Sequence, residues 1–225
     1  MFDAIAALRP LYREHGARHY GEAVSQFDHA IQAATLARDA SCDDELTLAA
    51  FLHDVGHLLE HDGAQAMGGY GVMAHDKLAR DYLLQLGFSP RLARLVGMHV
   101  EAKRYLCAID PAYLAALSPA SAATLGYQSG PMRADEADAF SRLPDLADIL
   151  ALRRLDEAAK DGGWSLGAAD WVWPLMAAHL VPPLGPLEAS PCQRPLLAVG
   201  VLAVIQGRQE ARQAAELVVT MLHQP

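Results

Sequence analysis

Apolar residues recur every three to four positions along most of this chain, and no stretch alternates apolar with polar residues over the length of a strand. A period of 3.6 gathers such residues on one helix face, so the pattern predicts a series of helices joined by short connections. They are expected at 2–15, 25–40, 44–60, 74–86, 90–98, 100–109, 110–117, 120–128, 134–142, 145–160, 171–180, 195–206 and 209–222. The fold class expected is therefore all-α, a helical bundle. Local punctuation supports the boundaries. Ser41 ahead of Asp44 and Glu45 offers a capping oxygen and early acidic residues where unpaired N–H groups need them. Ser89-Pro90 and Ser118-Pro119 read as an N-cap followed by a first-turn proline. The glycine-rich stretch from Gly63 to Gly71 reads as a loop.

After Lys160 the texture changes: Gly162-Gly163, Trp164, Trp171, Trp173 and six prolines from Pro174 to Pro195 interrupt the helical pattern. This suggests a main unit at 1–160 and a helical C-terminal extension at 161–225. With 225 residues, 52 % of them hydrophobic and 20 % charged, the chain can bury a sizeable core. Its longest apolar run, 196–205, is about half of the ~20 residues a membrane helix requires. The N-terminal segment mixes charges into its apolar pattern and has no small-residue cleavage site, so a cytoplasmic protein is expected. Three widely spaced cysteines, Cys42, Cys107 and Cys192, indicate neither a disulfide framework nor a thiolate zinc site. A net charge of −9 without a Lys/Arg cluster opposes nucleic acid and anionic membranes as partners. A small anionic substrate requires only a few cations placed locally. Oligomeric state is left open.

The sharpest local chemistry is His53-Asp54-Val55-Gly56-His57, which follows the apolar run Leu48 to Leu52. Unpartnered buried polar groups cost several kcal/mol, so two imidazoles and a carboxylate here need something to satisfy them. On a helix His53 and His57 would share a face, and Asp54 would project about 100° away, letting His53 and Asp54 straddle an ion. Further histidines stand in apolar helical settings: His29, His75 at a helix start, and His99. Asp156 lies three residues after Arg153 and shares its face. Taken singly, each would be an ordinary core or surface residue.

Together these residues resemble the HD superfamily, whose H…HD…D framework is matched by His29, His53-Asp54 and Asp156. His75 and His99 match the subset that binds two metals. Within it the chain is similar to the mixed-valence diiron oxygenases that act on organophosphonates, over about residues 18 to 160. Gly21 to Gln26, His99 to Tyr105, Leu117 to Ser121, Gln128 to Met132 and Arg153 to Asp156 carry the likeness. The resemblance implies an HD-domain bundle holding two iron ions, Fe(II)/Fe(III), bridged by Asp54. His29, His53 and Asp156 would complete one site, and His75 and His99 the other. Imidazole and carboxylate donors without thiolate suit iron or manganese. Oxygen is the implied co-substrate. His57, Lys103, Ser121 and Arg153 would surround the phosphonate, for which forked, point-charge and neutral donors are apt. Glu22, with a tyrosine upstream, would close the site and read the amine end of the substrate. Here Tyr20 precedes Glu22 by two residues where the family's spacing is three.

The implied reaction removes a hydrogen from carbon 1 of a 1-hydroxy-organophosphonate and breaks the C–P bond, giving phosphate and a carboxylic acid. 2-Amino-1-hydroxyethylphosphonate would give glycine, and its trimethylammonium analogue glycine betaine. Two other readings stay open: a metal-dependent phosphohydrolase acting on a phosphomonoester or nucleotide, and a non-catalytic module whose metals only staple helices.

Overall fold

The computed structural model describes residues 3–59, 65–164 and 169–180. Among them are eleven α-helices and no strand; a single isolated bridge joins Ala66 and Val72. The helices expected at 195–206 and 209–222, and Cys192, lie outside the described residues. No helix among the described residues is long and apolar enough to cross a membrane. The described residues are all-α, as the periodicity predicts.

The first three helices are α1 (Ala4–His15), α2 (Gln26–Asp39) and α3 (Asp44–Leu52). Each starts at a side chain that accepts a backbone N–H: Asp3 from Ile5 and Ala6, Ser25 from Asp28, and Asp43 from Leu46. The cap of α3 is thus Asp43 and not Ser41, whose φ of +57° places it in the preceding turn. Alanines 30, 33, 34 and 37 line the buried face of α2, and their small side chains let α3 lie close along it.

The helix expected over 44–60 ends early. α3 stops at Leu52, Asp54 adopts φ −101° and ψ 7°, and Val55–His57 form a 3₁₀ turn. Packing explains the break. A Cβ on Gly56 would sit 2.0 Å from the carbonyl oxygen of His75, so this turn is pressed directly onto the start of α4 (His75–Gln85). A continuing α3 would carry Gly56 away from that contact. Ala74, the residue before α4, is left-handed at φ +57°, an uncommon conformation for a residue with a Cβ.

Then follow α5 (Pro90–Gly97), α6 (His99–Ile109), α7 (Pro111–Ala116) and α8 (Pro119–Tyr127). α5, α7 and α8 open with an N-cap Ser89, Asp110 or Ser118 followed by proline. α9 (Ala134–Phe140) and α10 (Leu146–Ala158) complete the main body, and α11 (Val172–Leu180) follows a short 3₁₀ turn. α10 packs across α2, α3 and α6, so its buried face closes the bundle. Trp173 and Met176 of α11 belong to the same core, with Trp173 edge-on to both Tyr12 and Phe51. The core holds Leu48, Phe51, Leu52, Leu92, Leu95 and Leu152, all fully buried, and the polar site lies immediately beyond this apolar mass.

Candidate metal centre

Five segments converge. α2 contributes His29, the turn after α3 contributes His53 and Asp54, α4 and α6 open with His75 and His99, and α10 contributes Asp156. The four histidines are 0 to 4 % exposed. Each points Nδ1 at a backbone carbonyl: His29 at Ala159 (2.8 Å), His53 at Ala50 (2.9 Å), His75 at Val72 (3.1 Å) and His99 at Val96 (2.7 Å). A carbonyl only accepts, so every Nδ1 carries its hydrogen, and every neutral ring turns the bare lone pair of Nε2 inward. Yet Nε2 of His29 and His53 are 3.1 Å apart, and those of His75 and His99 are 3.0 Å apart. Two lone pairs at that separation repel unless positive charge lies between or beside them. Carbonyl anchoring of the far nitrogen is the usual support for metal-ligating histidine.

Asp54 supplies a carboxylate oxygen to each pair. One oxygen lies 3.7 Å and 3.6 Å from Nε2 of His29 and His53; the other lies 3.4 Å and 3.5 Å from those of His75 and His99. Asp156 stands 3.4 Å and 3.7 Å from the first pair. The donors thus form two sets that share Asp54, one with His29, His53 and Asp156 and one with His75 and His99. Imidazole and carboxylate donors in this number fit two divalent or trivalent ions of the iron or manganese type. Burial would raise the pKa of Asp156, but the Arg153 guanidinium holds it well below the usual carboxylate range, so it stays anionic.

A pocket opens beside the donors. Eleven of the twelve residues singled out in the sequence line it; His53 lies behind its wall, against His29. Arg153 is fixed on every side: Nε donates to the Tyr113 hydroxyl (2.7 Å), Nη1 to Asp156, and Nη2 to Glu157 and to Ser121 Oγ (3.2 Å). Lys103 donates to Thr124 Oγ1 (2.8 Å). Burial and the charge of Arg153 lower the Lys103 pKa to about 7. His57 stacks on His75 at 3.8 Å, and its Nδ1 accepts the Val72 N–H (2.9 Å), which puts the ring hydrogen on Nε2. The expected helical sharing of a face by His53 and His57 gives way to this turn geometry.

Tyr20 reaches the site despite its altered spacing. Its hydroxyl donates to the His57 carbonyl (3.1 Å), and its ring lies 5.1 Å from the His57 ring. Glu22 accepts from the Ser118 hydroxyl (2.7 Å) and pairs with Lys160 at 3.1 Å. Lys160 and Glu157 escape a motif-based reading of the sequence. Glu157 stands four residues after Arg153 on α10, and Lys160 follows just beyond the helix; both reach Ser121 (3.0 Å and 2.7 Å).

A family model described as the HD domain matches residues 27–152. The chain belongs to the HD-domain family. Among relatives of this HD-domain protein, an uncharacterized protein of Acanthamoeba polyphaga mimivirus is 40 % identical over 172 residues, covering 76 % of this chain and 78 % of that one. The [1-hydroxy-2-(trimethylamino)ethyl]phosphonate dioxygenase (glycine-betaine-forming) of Leisingera caerulea is 38 % identical over 151 residues, 67 % of this chain and 76 % of the relative. The hydroxymethylphosphonate dioxygenase of Gimesia maris is 34 % identical over 163 residues, 72 % and 80 % respectively. His29, His53, Asp54, His75 and His99 fall within the matched stretch, Asp156 lies four residues beyond it, and two of these three relatives are named as phosphonate dioxygenases.

Proposed function

We propose that this HD-domain protein is an oxygen-dependent oxygenase with two iron ions that cleaves the C–P bond of a small 1-hydroxy-organophosphonate. One observation carries the reading: Asp54 presents its two oxygens to two separate histidine pairs, at the edge of a pocket that also holds Lys103 and Arg153. The names of the two phosphonate-acting relatives support it. His29, His53, Asp54 and Asp156 would hold one ion, and Asp54, His75 and His99 the other. With two histidines and a shared carboxylate, the second set leaves room for ligands that are not protein. When bound, the iron pair would supply the redox chemistry with oxygen and the Lewis acidity that grips the substrate's hydroxyl and phosphonate oxygens.

The protein's own residues supply position and charge. Arg153 is held by Tyr113, Asp156, Glu157 and Ser121, so its charge and the remaining Nη1 N–H are fixed in place for an oxyanion at little entropic cost. Lys103 adds a point charge, Ser121 a hydroxyl, and His57 a neutral N–H from Nε2. Together they place local cations in a chain whose net charge is −9. Tyr20 and Glu22 line the same pocket and stand where they would limit entry of water. The balance is closed: a 1-hydroxyphosphonate and one O2 give a carboxylic acid and phosphate, so the four electrons taken up by O2 come from the substrate and no external reductant is consumed in turnover.

Phosphate release from hydroxymethylphosphonate and 2-amino-1-hydroxyethylphosphonate, measured with iron-loaded protein in air and under anoxia, tests this. Release in air that stops under anoxia is expected. Equal release without oxygen, or release from a nucleotide alone, would replace the oxygenase with a phosphohydrolase.

A further inference from the structure

Gln26 lines the pocket from the first turn of α2, three residues before His29 and so on the same helix face. It is 6 % exposed. Its backbone N–H donates to the Arg18 carbonyl (2.9 Å), yet its side-chain carbonyl oxygen is buried without a hydrogen-bond partner. Such an atom costs roughly 1–3 kcal/mol, and folded proteins keep few of them. The helix does not need an amide here. Its start is capped by Ser25, which accepts the Asp28 N–H (3.1 Å) and donates to the Asp28 carboxylate (2.6 Å). Gln32, also buried on α2, shows what a structural glutamine looks like in this fold: its nitrogen donates to the Asp161 carbonyl (2.9 Å) and its oxygen accepts the Asp161 N–H (3.1 Å).

The groups suited to a phosphonate, Lys103, Ser121 and Arg153, come from α6, α8 and α10, whereas Gln26 arrives on α2 with a metal-ligating histidine. The atom left without a partner is an acceptor, which a phosphonate dianion cannot satisfy. We propose that Gln26 is a substrate-contacting residue whose amide oxygen accepts a hydrogen bond from a donor on the carbon-bearing part of the substrate, either the hydroxyl at carbon 1 or a donor on its tail. This rests on the phosphonate reading and assigns a recognition role within it.

The test compares wild type with Gln26→Leu and Gln26→Met, all iron-loaded, on two substrates. Hydroxymethylphosphonate offers only the carbon-1 hydroxyl; 2-amino-1-hydroxyethylphosphonate adds a tail donor. kcat/KM is expected to fall about tenfold, as for one lost hydrogen bond of ~1.4 kcal/mol, while metal content is unchanged. The Tm of the substrate-free variants is expected to equal or exceed that of wild type, because an unpartnered polar atom has been replaced by an apolar one. A similar loss on both substrates assigns the carbon-1 hydroxyl, and a loss on the amino substrate alone assigns the tail. Unchanged kinetics on both would overturn the proposal, as would losses that come with a lower Tm and lower metal content, the mark of a structural residue. If wild type released phosphate from neither substrate, the functional reading itself would fall and the inference with it.

Discussion

Asp54 concentrates the site in one side chain, since each of its oxygens faces a different histidine pair. Asp54→Ala is therefore expected to lose both ions, not one, and elemental analysis showing a full metal complement in that variant would remove the bridge from the account. Lys103 sets up the opposite outcome. It is 3 % exposed, and burial followed by the charge of Arg153 brings its pKa down to about 7, with Lys160 adding repulsion and Asp156 and Glu157 opposing it. Below that pH the ammonium is present and attracts a phosphonate; above it the charge fades. KM should accordingly climb about tenfold as pH rises through 7 to 9, on the scale of one charge-assisted hydrogen bond. Lys103→Arg, which stays charged, should flatten that profile. The folding linkage has the matching sign. The folded pKa lies below the unfolded one, so from about 7 up to the ordinary lysine range the unfolded chain holds the extra proton and stability rises with pH. Lys103→Met should consequently raise Tm at pH 6 while raising KM and leaving metal content alone.

At the scale of elements, the turn after α3 decides where two of the donors stand, and Gly56 decides the turn. Gly56→Ala would drive a methyl to 2.0 Å from the His75 carbonyl, against backbone that cannot swing aside. The expected cost is about 3 kcal/mol, or a Tm lower by roughly 6–12 °C. Metal should be lost chiefly from the set that includes His75, which elemental analysis and Tm together would show. The same turn marks the limit of what periodicity reveals. Helices α1, α2 and α4 to α11 were legible because their apolar spacing, and the caps that several of them carry, are local properties. The end of α3 was not, because a contact with α4, distant in sequence, fixes it. Asp43 displaced Ser41 as the cap for a related reason: both are good capping residues, and the left-handed turn at Ser41 leaves only Asp43 next to the free N–H groups. The six side chains that converge at the candidate centre were legible as histidines and carboxylates out of place in apolar segments. Gln26, Glu157 and Lys160 were not, since polar residues at a helix start or near a helix end have many ordinary uses.

At the scale of the whole molecule, six polar donors from five segments occupy the space where the bundle would otherwise place more core. Four histidines whose Nδ1 atoms are anchored on carbonyls bring their Nε2 atoms near 3 Å from each other in two pairs, an arrangement of neutral rings that bound ions would relieve. Metal binding there would couple to the fold: an ion held at a thousand times its Kd would add about 4 kcal/mol to stability, and both donor sets draw on segments that unfolding would separate. Trp173 of α11 packs on Tyr12 and Phe51, and Phe51 lies in α3, two residues before His53, so the apolar and metal-binding halves of the bundle share a wall. Unfolding of residues 3–180 is then expected to respond to metal as one unit. Removing the ions from wild type with a chelator should lower Tm by more than 10 °C, about 3 °C for each kcal/mol at this chain length, and returning ferrous iron should restore it. Asp54→Ala supplies the control, because a protein that holds neither ion has nothing to lose to the chelator and its Tm should not move. A wild-type Tm indifferent to chelation, with metal shown to be gone, would mean that the histidines settle among themselves by taking up protons and that the fold does not depend on the ions.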